Sequence, residues 1–253
     1  MSSPDLPAAF LTAPIAHRGL HGPGVPENSL AAVCAAAEAG YGIEIDLQPS
    51  ADGVAMVFHD DTLGRLTAAT GPVAARPAAE LETLTLAGTP ETIPRLSTVL
   101  SATDAPLLIE LKDQSGTLGP GGEEPFARAT AAALEGHGGP VAVMSFNPDL
   151  LTAFAAHAPN IPRGLVTCAY PAAAWPQVPQ DRRAHLAALS DLDRTGASFV
   201  SCHQHELDRA PIRDAKANGI AILTWTIRSQ PEEIAARAIA ENVTFEGYRA
   251  ALT

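Results

Sequence analysis

The chain has 253 residues, 46% hydrophobic and only 5% aromatic, with 16 basic against 28 acidic side chains and a formal net charge of −12. That length and apolar content suit one large α/β barrel or two small domains with an aliphatic, alanine-rich core. The acidic balance argues against general binding to nucleic acid or to anionic membranes, which need a basic footprint, whereas a bound cation would still allow an anionic substrate.

The first residues, "MSSPDLPAAFLTAPIAH", lack a cationic start and a long apolar region, so no signal peptide is expected. No stretch approaches about 18 uninterrupted apolar residues, so no stable membrane insertion is expected either. Cys34, Cys168 and Cys202 lie far apart without a CxxC pair, which predicts reduced, mostly buried thiols and a cytoplasmic protein. Strands are predicted at 14–18, 42–48, 55–60, 107–112, 141–146, 163–167, 199–203 and 221–227. Helix-length segments separate most of them, and eight units in about 250 residues predict a TIM-type (β/α)8 barrel filling 1–253 as one domain. The first helix is expected to start at Asn28 as N-cap, to bury Leu30, Val33, Cys34 and Ala37, and to stop at Gly40. Further helices are expected at 125–135, 148–157, 183–195, 208–218 and 231–241.

Strands two and three break the alternation. Only "PSADG" separates them, too short for a crossover helix, and Asp52-Gly53 is a turn signal. A hairpin centred near Ala51–Asp52 would bring His59 back level with Glu44. Residues 61–95, rich in Thr, Ala, Pro and Gly, read as a small insertion or lid.

Glu44 and Asp46 are two apart on a strand, so their side chains share one face. Half-exposed strands often carry acids in that pattern, but Glu110 ends another strand between long aliphatics and weighs against a merely solvated face. Three carboxylates close together need a proton or a cation, and without a His/Cys cluster they suit Mg2+ or Ca2+. His17 and His59 both follow apolar runs; at one barrel face beside acids they make a general acid/base pair. Arg18 and Lys112 offer the fixed positive charge a phosphate needs, the alternative for Lys112 being an ordinary solvated lysine. "CHQHE" (202–206) has the composition of a metal cluster, but strand period two separates Cys202 from His203, and a loop at the barrel mouth fits better. "GPGGEE" (119–124) lacks the Gly-Lys-Ser/Thr of a phosphate loop, and no Gly-x-Ser-x-Gly elbow supports a serine hydrolase.

With "HRG" (17–19), "PENS" (26–29), "IEIDLQPSADGVAMVFHDDTLGRLT" (43–67), "IPRLSTVL" (93–100), "IELK" (109–112), "SF" (145–146) and "TWTI" (224–227), the chain resembles the glycerophosphodiester phosphodiesterase family over nearly its whole length. The resemblance implies a barrel enzyme that hydrolyses a small glycerophosphodiester with a divalent cation, releasing sn-glycerol 3-phosphate and an alcohol. Glu44, Asp46 and Glu110 match the family's metal ligands, and His17 and His59 its acid/base histidines. Arg18 and Lys112 match phosphate-contacting positions, Glu27 a polar residue ordering the site, and Trp225 an aromatic at the substrate mouth; a partly buried core role fits Trp225 as well. Two segments depart from the pattern: Arg228 stands where asparagine is common, and "NVTFEGYRA" (242–250) replaces a Gly-x-Asp-x-x-x-Thr-Asp-x-Pro-like ending. Both lie where alcohol specificity is expected to be set.

Water and the neighbouring glycerol 2-hydroxyl are both compatible nucleophiles, and either histidine can be acid or base. The alternatives are a related lipid phosphodiesterase, such as a lysophospholipase D, for which an apolar collar at the mouth would speak, and a non-catalytic phosphodiester-binding barrel, for which a lost histidine or carboxylate would speak. A purely structural scaffold sits poorly with so many acids and histidines at strand ends. The sequence carries no signal of oligomeric state.

Overall fold

The computed structural model describes residues 4–252, so Met1, Ser2, Ser3 and Thr253 of the expected 1–253 domain, the first three also opening the stretch in which no signal peptide is expected, lie outside the described residues. The chain runs α1 (Ala9–Thr12), β1 (Ile15–Ala16), α2 (Leu30–Glu38), β2 (Gly42–Pro49) and β3 (Ala55–Val57). Two 3-10 turns, Leu63–Arg65 and Val73–Ala75, precede α3 (Ala78–Leu81) and α4 (Leu96–Ala102). There follow β4 (Leu107–Leu111), α5 (Glu123–Leu134), β5 (Val141–Ser145), α6 (Pro148–His157), β6 (Arg163–Thr167), α7 (Gln180–Ala187) and α8 (Leu192–Thr195). The chain ends with β7 (Phe199–His203), α9 (Ala210–Ala217), β8 (Ala221–Ile227), α10 (Gln230–Ala236) and β9 (Asn242–Phe245).

Among the described residues, eight parallel strands close a ring in the order β1, β2, β4, β5, β6, β7, β8, β9, with β3 antiparallel to β2 outside it. The barrel is the expected one, but its strand list needs a correction. The run at 55–60 supplies the outer strand rather than a stave, and the eighth stave is β9, which lies in the segment expected only to depart from the family ending. The hairpin pairs Leu47 with Val57 and sets Phe58 level with Asp46, so His59 falls one residue short of the expected level with Glu44.

Strand parity divides the apolar residues between two cores. Ile43, Ile45, Leu47, Ile109, Val143, Leu165, Val200 and Ile222 pack outward against the helices. Ile15, Leu108, Ala142, Met144, Val166, Phe199 and Leu223 fill the barrel interior together with Leu6 and Phe10, which plug its foot. Gly164 belongs to this fit, because a Cβ there would lie 2.3 Å from the Phe199 ring. Residues 61–95 bury a small core of their own, with Leu63, Val73, Leu81 and Ile93 on Met56 and Phe58.

α2 starts one residue later than expected. Ser29 is its N-cap, accepting the Ala32 N–H at 3.1 Å, while Asn28 is released for another task. The helix buries Ala32, Val33 and Ala36, so of the expected face Val33 alone is fully buried, and Gly40 (φ +80°) follows its end. The helix expected at 183–195 is two helices, parted at Leu189 (φ +54°), and buried Asp191 between them accepts from Arg194 and pairs with His185. All three cysteines are free, Cys168 and Cys202 buried. No helix of the described residues is long and apolar enough to cross a membrane.

Candidate active site

The segment after β1 explains why "HRG" and "PENS" stand where they do. Arg18 (φ +56°) and Gly19 (φ +76°) turn the chain sharply through the left-handed region. A Cβ on Gly19 would lie 2.7 Å from the Ala32 backbone, so α2 packs on bare main chain here. The turn aims the Arg18 N–H at Glu44 Oε2 (2.9 Å) and sets its guanidinium between Glu27 Oε1 (2.6 Å) and Asp46 Oδ2 (3.4 Å). Asn28, also left-handed at φ +57°, uses its amide twice: Nδ2 donates to Asp46 Oδ2 (2.8 Å), and Oδ1 accepts the Asp46 N–H (3.2 Å). Asparagine tolerates this conformation better than most residues.

Parity then turns Glu44 and Asp46 of β2 and Glu110 of β4 into the barrel. Register sets Asp46 beside Glu110 on adjacent strands, and the three carboxylates, all buried, offer oxygens within 4.8 Å of one another. Lys112 Nζ lies 2.7 Å from Asp46 Oδ1 and 2.7 Å from Glu110 Oε1. Its side chain is only 14% exposed, so it is not a solvated lysine. Burial and the neighbouring Asp46 and Glu110 push the Glu44 carboxyl well above the usual range. Burial also raises Glu110, against the pull of Lys112. Asp46 is buried too, yet Lys112, His59 and Arg18 outweigh that and hold it below its ordinary value. An all-oxygen donor set in which like charges crowd is the chemistry of a hard divalent cation, and these residues fit one.

Both histidines are held at Nδ1 by a carboxylate: His17 by Glu246 Oε2 (2.6 Å) and His59 by Asp60 Oδ1 (2.7 Å). Each carboxylate is backed by an arginine, Asp60 by Arg65 Nε (2.6 Å) and Glu246 by Arg228 Nη2 (2.7 Å). Burial lowers both histidines below their ordinary values, favouring the neutral ring. Arg65 comes from the insertion and also grips Glu27 (2.7 and 2.9 Å). Burial would raise Glu27, but the hydrogen bonds from Arg65 and Arg18 bring it down to about 2.

His17, His59, Arg18, Glu44, Glu110 and Lys112 line one cavity of about 180 Å³, closed on its other side by Met144, Phe146, Trp225 and Arg228. Trp225 is fixed by its Nε1–H to Ser201 O (3.0 Å) and meets Phe146 and His203 edge-on. A larger hollow of about 620 Å³, between Asp193 and Asp214, contains none of these residues. "CHQHE" makes no metal cluster: the one group of three or more candidate ligands among the described residues is Glu44, Asp46 and Glu110, and burial pushes the Cys202 thiol up to about 12. Thus eight of the nine predicted residues line the cavity or belong to its carboxylate cluster, and Glu27 stands behind Arg18. Sequence reasoning assigned no site role to Asn28, Asp60, Arg65, Arg228 or Glu246. Asp60 and Arg65 lie within the family-like run 43–67, whereas Arg228 and Glu246 lie in the two segments that depart from the family pattern, where nothing local ties Glu246 to His17.

The sequence profile of the glycerophosphoryl diester phosphodiesterase family matches residues 17–246. A glycerophosphodiester phosphodiesterase of Caldanaerobacter subterraneus subsp. tengcongensis is 30% identical over 227 residues, 84% of each chain. Glycerophosphodiester phosphodiesterase 1 of Bos taurus is 48% identical over 58 residues, 22% of this chain and 17% of that protein. Among solved structures, an Oleispira antarctica phosphodiesterase in complex with the product sn-glycerol-3-phosphate superposes with a TM-score of 0.77 at 29% identity, covering 94% of both chains.

Proposed function

The chain belongs to the glycerophosphoryl diester phosphodiesterase family, and from that premise we propose that it hydrolyses soluble glycerophosphodiesters to sn-glycerol 3-phosphate and an alcohol such as choline or ethanolamine. The observation that carries this reading is one cavity faced by two carboxylate-held histidines, a buried three-carboxylate cluster and the cations Arg18 and Lys112. The product bound to the Oleispira relative supports the glycerol phosphate half of the substrate.

In this mechanism Glu44, Asp46 and Glu110 would hold one Mg2+ or Ca2+, which when bound supplies Lewis-acid polarisation of the phosphate. Arg18 and Lys112 balance charge growing on the phosphoryl oxygens. One histidine takes the proton from the nucleophile, water or the glycerol 2-hydroxyl, and the other gives a proton to the leaving alcohol. Trp225 lines the side where that alcohol leaves. The whole chain works as one phosphodiesterase unit in the cytoplasm, with residues 61–95 as its lid, serving lipid head-group and glycerol metabolism.

One observation favours a second reading, cleavage of lysophospholipids. Phe146 packs on Trp225 (5.6 Å) and Trp175 (5.2 Å), and Trp175 on Tyr170 (5.2 Å), an aromatic wall suited to an apolar chain. A substrate panel decides between them: glycerophosphocholine, glycerophosphoethanolamine, glycerophosphoinositol and lysophospholipids, each with Mg2+, with Ca2+ and with excess chelator. We expect sn-glycerol 3-phosphate from the soluble diesters, no turnover in chelator, and a loss of about 10²–10⁴ in rate for His17→Ala and for His59→Ala. Preference for lysophospholipids selects the second reading. Turnover that persists in chelator removes the cation, and near-normal rates in both histidine variants remove the acid/base assignment.

A further inference from the structure

The two places where the sequence departs from the family pattern meet beside His17. β9 pairs with β1, and the His17 N–H donates to the Phe245 carbonyl at 2.9 Å, which sets His17 and Glu246 side by side at neighbouring strand ends. The Glu246 N–H in turn donates to Ile227 O (2.9 Å), one residue before Arg228, so its backbone is pinned between β1 and β8. The carboxylate divides its oxygens: Oε2 takes His17 Nδ1 at 2.6 Å, with His21 Nε2 at 3.6 Å, and Oε1 takes Arg228 Nη2 at 2.7 Å.

From this geometry we infer that Glu246 is a positioning residue for His17, locking its ring with the proton on Nδ1 so that Nε2 is the nitrogen presented to the cavity. An ionised carboxylate only accepts hydrogen bonds, so the nitrogen it holds must donate, and in a neutral imidazole the other nitrogen is then the acceptor. The hydrogen bond from His17, with the His21 imidazole nearby, holds the Glu246 carboxyl well below its usual range, which keeps it an acceptor. An ordinary surface ion pair does not account for the arrangement. Arg228 is 58% exposed and contributes little stability by itself, but Glu246 and His17 are only 19% and 13% exposed. The second histidine repeats the unit independently: His59, Asp60 and Arg65 form the same imidazole–carboxylate–arginine series. There the carboxylate is the next residue in the chain, whereas Glu246 comes from 229 residues away. The same local chemistry is thus assembled by two unrelated routes.

This inference rests on His17 acting in acid/base chemistry, and the test separates the two. Nitrogen-15 histidine NMR of the full chain, with His17 assigned from the His17→Ala variant, should show the wild-type ring protonated on Nδ1. In Glu246→Ala that preference should be lost. In steady-state assays on the soluble diester, Glu246→Ala should lower kcat about 10- to 100-fold with KM changed less than about threefold, the usual scale for losing a partner that orients an active ring. Glu246→Asp, which keeps the carboxylate, should retain more of kcat and supplies the measurement if the alanine variant does not fold. Placed in the His17→Ala background, Glu246→Ala should cost nothing further. A wild-type His17 protonated on Nε2, or an equal loss from Glu246→Ala with and without His17, overturns the inference. Slow His17→Ala beside a normal Glu246→Ala overturns it while leaving the role of His17 standing; a normal His17→Ala takes that role away.

Discussion

Lys112 shows how much a single side chain can decide. Its ammonium sits 2.7 Å from an oxygen of each of two buried carboxylates, and those neighbours, acting against its burial, hold it protonated well above the ordinary lysine range. Replacing it with an uncharged side chain would take away the ion-pair partner of Glu110 and leave Asp46 with Arg18 alone. Removing one partner of a buried pair costs about 3–5 kcal/mol. We therefore expect Lys112→Met to lower the unfolding temperature in cation-free buffer, and Mg2+ or Ca2+ to restore more stability to the variant than to the wild type. Thermal unfolding with and without the cation checks this; equal gains in both proteins would show that Lys112 and the cation do not answer the same carboxylates, and no gain in either would speak against a cation site there. The sequence displayed the alternation of Glu44 and Asp46 and the aliphatic flanks of Glu110, because side-chain parity on a strand is a local property. It could not display that Lys112 is half-buried between two carboxylates, since the surroundings of a strand-end lysine depend on which carboxylates the neighbouring stave brings.

At the scale of elements, the insertion between β3 and α4 is tied to the barrel through Arg65, which binds Glu27 ahead of α2 and Asp60 beside His59. Glu27 makes that tie dependent on pH. Its carboxyl titrates at about 2 in the folded chain against 4.5 ordinarily. Between those values the unfolded chain binds more protons than the folded one, so stability falls as pH falls. The contribution is complete above about pH 4.5 and lost progressively toward about pH 2. Glu27→Gln should show a flatter decline of unfolding free energy from pH 6 to pH 3 than the wild type, as should Arg65→Ala. Parallel curves for wild type and both variants would mean the tie carries no stability. Elements were legible where their signal is local: α6 lies at 148–157 as expected, bounded by Asn147 capping the Asp149 N–H. β9 was not, because Asn242-Val243-Thr244-Phe245 is short, half polar and followed by no strand to suggest pairing. Its Asn242 has its partners far off in sequence, at the foot with Phe10 and Ala13.

Over the whole molecule the barrel separates two duties along its axis, as barrels of this kind do. The mouth carries the charged cluster, where like charges and left-handed backbone at Arg18 and Asn28 work against stability. The foot is filled by Leu6 and Phe10 under Phe199, Leu108 and Leu223. Closure itself rests on little: β1 has two residues, paired to β2 on one side and β9 on the other. Asn242 reinforces that seam. Its buried Nδ2 donates to Phe10 O (2.8 Å) and Ala13 O (2.7 Å), fastening the plug to the last stave, while its Oδ1 accepts the Val243 N–H (2.9 Å). Asn242→Ala strands buried carbonyls, a loss of about 1–3 kcal/mol each when no water reaches them. We expect the urea midpoint to fall with the slope unchanged, because the same surface is exposed on unfolding. Well below the unfolding temperature, kcat should stay at the wild-type value, since Asn242 touches nothing at the mouth. An unchanged midpoint would show that the plug is held by packing alone, and a lowered kcat in the folded variant would show that foot and mouth are not independent.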